Sequence, residues 1–292
     1  MTISIGLNLY SVFRELNEDY FGTLEKVAEM GYKNVELISS NFATGERFTD
    51  TFSLPVIKKK FDELGLNAFA AHEGVPVGKA IIEGNWDKII EENAELGCHS
   101  IVFPMAFISG REDTIKTAEH LNIIGKKCKD SGLDFYYHNH AHEFKKIGES
   151  TLFDLLVENT DPELVKIELD LVWVMRGGMD PIALLEKLGN RCDIIHQKDL
   201  GKHVDSVNIF ASLNKDDNTD PMELYKEFVK PNDFVNLGTG TVNFEATYQK
   251  LNELGNVRYA VIENEGQLGD KLTSIASDLK VMEKIVKGLI KN

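Results

Sequence analysis

Six times along this chain a charged, helix-like stretch ends in glycine and a short apolar run follows. The instances are AEMGYKNVEL, DELGLNAFAAH, AELGCHSIVFP, KDSGLDFYYH, EKLGNRCDIIH and NELGNVRYAVIE, with glycines at Gly31, Gly65, Gly97, Gly132, Gly189 and Gly255. Glycine just past a helix accepts the left-handed conformation that closes it, having no Cβ to clash. The runs that follow are short, β-branched and aromatic, as strands buried on both faces should be. The first four glycines recur at intervals of 32 to 35 residues, a period typical of a repeated supersecondary unit. The wider gap from Gly132 to Gly189 fits two short units, with Asp161 and Pro162 in ENTDPELV supplying the missing stop. The gap from Gly189 to Gly255 fits one unit plus an insertion. With ISIGLNLY as the first strand, eight strands are expected at about 3–9, 33–38, 66–72, 99–104, 134–140, 164–170, 193–198 and 257–263. A last helix is expected from about Gly269 to Ile290. Strict alternation of eight strands and helices predicts a closed parallel eight-stranded barrel with outer helices, the (β/α)8 or TIM barrel. Residues 1–292 read as one such domain, with an insertion at about 202–243 expected to form a lid or an interface.

Composition narrows the function classes. The net charge of −15 repels phosphate backbones, so nucleic acid is not an expected partner. The three cysteines, Cys98, Cys128 and Cys192, form no CxxC pair, and their odd number does not suggest a disulfide framework; they are expected reduced and buried. The start, MTISIGLNLYSVF, lacks the basic and apolar regions of a signal peptide, and no run approaches a membrane span. The expected location is therefore cytoplasmic, with no membrane partner.

In a β/α barrel the chemistry lies at the C-terminal ends of the strands. Those ends carry Glu36, His72, His138, Asn139, His140, Asp170, His196, Lys198 and Glu263, with Glu143 just beyond strand five. His196 and Lys198 share a strand face, as do His138 and His140. Glu168 shares the face of Asp170 one layer deeper and needs a partner if buried. A lone strand-end His is more often structural, and a lone Asp or Glu often caps the next helix. Carboxylates and a His converging from strands five to eight point instead to a divalent cation, since they repel one another without a cation or a proton. His72, His138 and Asn139 are read as substrate contacts, and Trp173 as a wall against a sugar ring or a core residue. His142 is expected to point to solvent.

Six segments carry a resemblance: GLNLYS, YYHNHAHEF, ELDLVWV, IIHQKD, GTGTVNF and VIENE, spread over essentially the whole chain. Together they resemble the xylose isomerase-like sugar phosphate isomerase/epimerase family. That resemblance implies one divalent metal, most often Mn²⁺, with Mg²⁺, Co²⁺ or Zn²⁺ as alternatives. Carried over residue by residue, it implies Glu143, Asp170, His196 and Glu263 as ligands. Epimerases of the family have a Glu within strand five, where this chain has His138; His138 or His140 is thus an alternative to Glu143.

The expected reaction is isomerisation or epimerisation of a sugar or sugar derivative, by proton abstraction beside a carbonyl through an enediolate. Glu143, Glu263 and His140 are the candidate bases, and Lys198 would face the developing oxyanion and the substrate. Expulsion of a β-leaving group from the same intermediate gives the alternative, a lyase or dehydratase acting on an inosose or 3-keto-glycoside. An abasic-site endonuclease is disfavoured by the charge, and a non-catalytic sugar-binding protein would hold no metal. The partner is a small carbohydrate, and assembly as a homo-oligomer is left open.

Overall fold

The computed structural model describes residues 3–39, 46–75, 79–211, 219–266 and 269–289. Eight parallel strands close on themselves: β1 (Ser4–Asn8), β2 (Asn34–Ile38), β3 (Asn67–His72), β4 (Ser100–Phe103), β5 (Asp134–His138), β6 (Lys166–Asp170), β7 (Ile194–Gln197) and β8 (Tyr259–Ile262). Each pairs with its sequence neighbours, and β8 returns to β1. This is a TIM barrel with surrounding helices, and each strand lies where the repeat places it. The six cap glycines all take positive φ. Gly65 and Gly97 show the reason: each is left-handed and donates its N–H back into the helix it ends, Leu54–Leu64 and Trp86–Leu96. The last helix spans Lys271–Leu289, and Ile290 lies outside the described residues.

The barrel interior changes character along its axis. Phe69, Ala70, Val102, Tyr136, Ile194 and Val261 form a buried apolar plug. His72 at the end of β3, with Glu36, Glu168 and His196 inside β2, β6 and β7, makes a polar group beyond it. The outer faces of the strands and the helices share a larger core. All three cysteines are free and buried. Among the described residues, no helix is long and apolar enough to cross a membrane.

Beyond β7 the chain leaves the barrel within the region read as an insertion. Asp199–Leu200 pairs antiparallel with Phe234–Val235, and the helix Pro221–Phe228 lies between them in sequence. Residues 212–218 of the insertion lie outside the described residues. The Asp199 carboxylate accepts from the backbone N–H groups of Leu200, Gly238, Gly240 and Val242. One side chain thus ties the GTGTVNF loop to the end of β7.

Candidate active site

Asp170 serves two purposes with its two oxygens. Oδ1 accepts from Trp173 N at 2.8 Å and caps the helix Leu171–Arg176, while Oδ2 accepts from Lys198 Nζ at 2.7 Å. The cap therefore fixes the carboxylate so that its other oxygen faces the barrel axis. Lys198, 2% exposed, also reaches Glu263, and lies 2.8 Å from Glu265 Oε1. His196 Nδ1 lies 2.8 Å from Glu263 Oε2. The shared face of His196 and Lys198, expected from parity, thus converges on one carboxylate.

His138 supplies the strand-five member. Its Nδ1 lies 3.1 Å from the carbonyl of Pro104, which can only accept, so Nδ1 carries the proton. In the neutral ring, Nε2 is then the atom with the lone pair. That buried atom has no hydrogen-bond partner and lies 3.7 Å from Asp170 Oδ2. An imidazole oriented through one nitrogen and open at the other is the arrangement of a metal-ligating histidine. His138, Asp170, His196 and Glu263, all buried, each offer a ligand atom within 4.8 Å of the others. The donor set therefore fits a divalent ion.

Glu143, expected among the ligands and bases, is not brought into this group. Its strand has ended at His138, and the short helix His142–Phe144 folds the carboxylate back onto β5. There it accepts from Tyr137 Oη at 2.8 Å and His140 N at 2.9 Å, fully buried. Glu143→Gln is accordingly expected to leave the ion content unchanged and to lower stability by about 1–3 kcal/mol. Metal analysis and urea denaturation check both parts; loss of the ion would return Glu143 to the ligand set.

Other expected site residues fall in different places. His142, expected at the surface, is fully buried with Nε2 2.8 Å from Ala106 O, because the same short helix turns it inward. Asn139 is buried and its Oδ1 accepts from Asp170 N at 3.0 Å, so it stitches β5 to β6. The rings of His138 and His140 lie 5.0 Å apart, and that of His140 also lies beside Trp173 and Tyr225, with Nδ1 unpartnered. Trp173 is fully buried behind His140 and Tyr225, with Lys198 Nζ 5.4 Å from its ring centre. His140 and Tyr225, the latter from the helix Pro221–Phe228, are only partly buried. His72 faces Glu168 and Glu36, at 3.0 and 3.3 Å. Glu168, the deep carboxylate, finds its partners in His72 and His196. Tyr225 and Glu265 lacked any assigned role in the sequence; Glu265 shares the parity of Glu263, which was a usable signal.

The charges shape one another. Burial alone would raise Asp170, Glu263 and Glu36, but the neighbouring cations outweigh it and hold all three low: Lys198 for the first two, His72 and His196 for Glu36. Burial opposes charge on His72 and His196, yet the glutamates prevail, holding His72 at about 9 and His196 well above its ordinary value. Glu265 is pushed up to about 7 by burial and the charge of Glu263, against the pull of Lys198. Burial, with His138 and His142 nearby, lowers His140 well below its ordinary value, so this imidazole is neutral. A neutral imidazole and a carboxyl that titrates near neutrality thus stand at one site.

The xylose isomerase-like TIM barrel family model matches residues 24–285. This chain belongs to that family. It is 27% identical over 165 residues to an inosose dehydratase of Clostridium perfringens, covering 56% of this chain and 51% of that one. The chain thus spans about half the length of the curated relative it matches. Among solved structures, it is similar to a sugar phosphate isomerase/epimerase of Parabacteroides distasonis, with 24% identity, a TM-score of 0.72 and coverage of 97% and 94%. It is also similar to the IOLI protein with a bound zinc atom, with 15% identity, a TM-score of 0.69 and coverage of 98% and 99%. These two likenesses are of fold.

Proposed function

We propose that the chain is a metal-dependent lyase of the dehydratase class, acting on an inosose-like keto-cyclitol or a related keto-sugar. The observation that carries this reading is at the end of β5. Where epimerases of the family resemble one another in a strand-five glutamate, His138 stands with Nδ1 bound to Pro104 and Nε2 open to the site. A carboxylate that could hold an ion and also carry a proton is replaced by an imidazole suited to holding alone. The inosose dehydratase relatives support the same direction. The reading set second in the sequence therefore comes first.

His138, Asp170, His196 and Glu263 would hold the ion. Two imidazoles and two carboxylates suit Zn²⁺, Co²⁺ or Mn²⁺ better than Mg²⁺. A divalent ion there supplies a Lewis acid that makes the C–H beside a substrate carbonyl more acidic. His140, neutral and unpartnered at Nδ1, takes that proton. Glu265, titrating at about 7, gives a proton to the departing hydroxyl, which leaves as water while the C=C bond forms. Lys198 keeps a fixed positive charge beside the oxygen that gains charge. His140 and Tyr225 flank the ring, so closure by the insertion helix would exclude water.

The experiment is product analysis by NMR with inososes, keto-sugars and 3-keto-glycosides. A dehydrated, unsaturated product is expected from at least one keto-cyclitol. Conversion of a substrate only into its stereoisomer would favour the epimerase reading instead.

A further inference from the structure

Beneath the group just described lies another that the proposed reaction does not use. Glu36 and Glu168 are both 0% exposed, and both approach the same two ring nitrogens. His196 Nε2 lies 2.7 Å from Glu36 Oε2 and 2.9 Å from Glu168 Oε1. His72 Nε2 lies 3.0 Å from Glu168 Oε1 and 3.3 Å from Glu36 Oε1. Each nitrogen offers at most one hydrogen, yet each faces two carboxylate oxygens. Glu36 Oε1 and Glu168 Oε2 are left without a hydrogen bond, a costly state for buried carboxylates. Even with the Asn8 amide as a further donor to Glu36, the N–H groups gathered here do not satisfy both carboxylates.

We propose that Glu36, His72, Glu168 and the Nε2 face of His196 form a second divalent-cation site, one layer deeper in the barrel. A single ion can take one oxygen or nitrogen from every member, which directional N–H donors cannot. The four ligand atoms already lie within 4.8 Å of one another. Asn8 Nδ2 donates to Glu36 Oε2 at 2.8 Å, an outer-shell bond that fixes that carboxylate. His72 keeps 10% of its side chain accessible. The mixed oxygen and nitrogen set suits Zn²⁺ or Co²⁺. His196 belongs to both sites through opposite nitrogens: Nδ1 faces Glu263 and Nε2 faces Glu36 and Glu168.

The proposal goes beyond the assignment of the upper group and is tested apart from it. Chelator-treated protein is dialysed against zinc, and bound zinc per chain is measured by elemental analysis. Wild type is expected to bind two ions, and His72→Asn and Glu168→Gln one each. Asp170→Asn is expected to lose the upper ion and keep the deeper one. Glu168→Gln is nearly isosteric, so circular dichroism and the retained upper ion report that the barrel is intact. Saturation at one ion that Asp170→Asn abolishes, with His72→Asn and Glu168→Gln unaltered, would overturn the proposal. Saturation at one ion that His72→Asn abolishes and Asp170→Asn keeps would support the deeper site and refute the upper one.

Discussion

Asp170→Ala is expected to weaken ion binding at the upper group by more than about 100-fold, the most that loss of an outer-shell partner typically costs. The substitution removes a candidate ligand whose orientation the fold itself supplies. Oδ1 is held by Trp173 N, leaving Oδ2 to the site. The same change deletes a helix cap, so stability should fall by roughly 1 kcal/mol through that effect. Asp170→Asn separates the two losses: its amide oxygen can still cap, but it brings no charge to the ion. Isothermal titration with zinc and thermal denaturation read the two effects separately. Full ion content in Asp170→Ala would remove Asp170 from the ligand set.

Lys198→Met is expected to lower kcat by roughly 10²–10³-fold, the cost typical of removing one electrostatic stabiliser of a developing anion. The ion should remain bound, because the lost group is a cation beside Asp170 and Glu263 rather than a ligand. A second consequence follows from charge. Lys198 draws the Glu265 carboxyl down against burial, so its removal lets that carboxyl rise above about 7. A general acid works while protonated, so activity should fall off at a higher pH in the variant than in wild type. Steady-state kinetics across pH with the zinc-loaded protein check both. An unchanged kcat/KM would reduce Lys198 to a structural counter-ion.

The barrel was legible because its punctuation has one physical cause. Helices that must stop short of a buried strand need a left-handed residue there, and Gly31, Gly65, Gly97, Gly132, Gly189 and Gly255 all adopt positive φ. Asp170, His196, Lys198 and Glu263 were legible for a related reason: a barrel gathers its strand ends, so polarity there converges. What was not legible lies where a strand ends and a turn begins. Period-two alternation stops at His138, so it could not place His142 or Glu143. The short helix His142–Phe144 decides both, sending Glu143 back to Tyr137 and burying His142 against Ala106. Nor could spacing show that His138 Nδ1 meets the carbonyl of Pro104 from the neighbouring strand connection, which is what frees Nε2. Glu36 was visible as a strand end, but its partnership with His196 spans 160 residues and depends on barrel closure.

The ion-dependent reaction proposed for this site is loss of water. Chelator-treated protein, before and after reloading with zinc or manganese, is mixed with an inosose in D₂O and followed by NMR and ultraviolet absorbance together. An unsaturated ketone absorbance is expected to grow only after reloading, with NMR showing a product one water lighter than the substrate. Accumulation of a deuterated stereoisomer with no loss of water, or dehydration at full rate in the chelated protein, would contradict it.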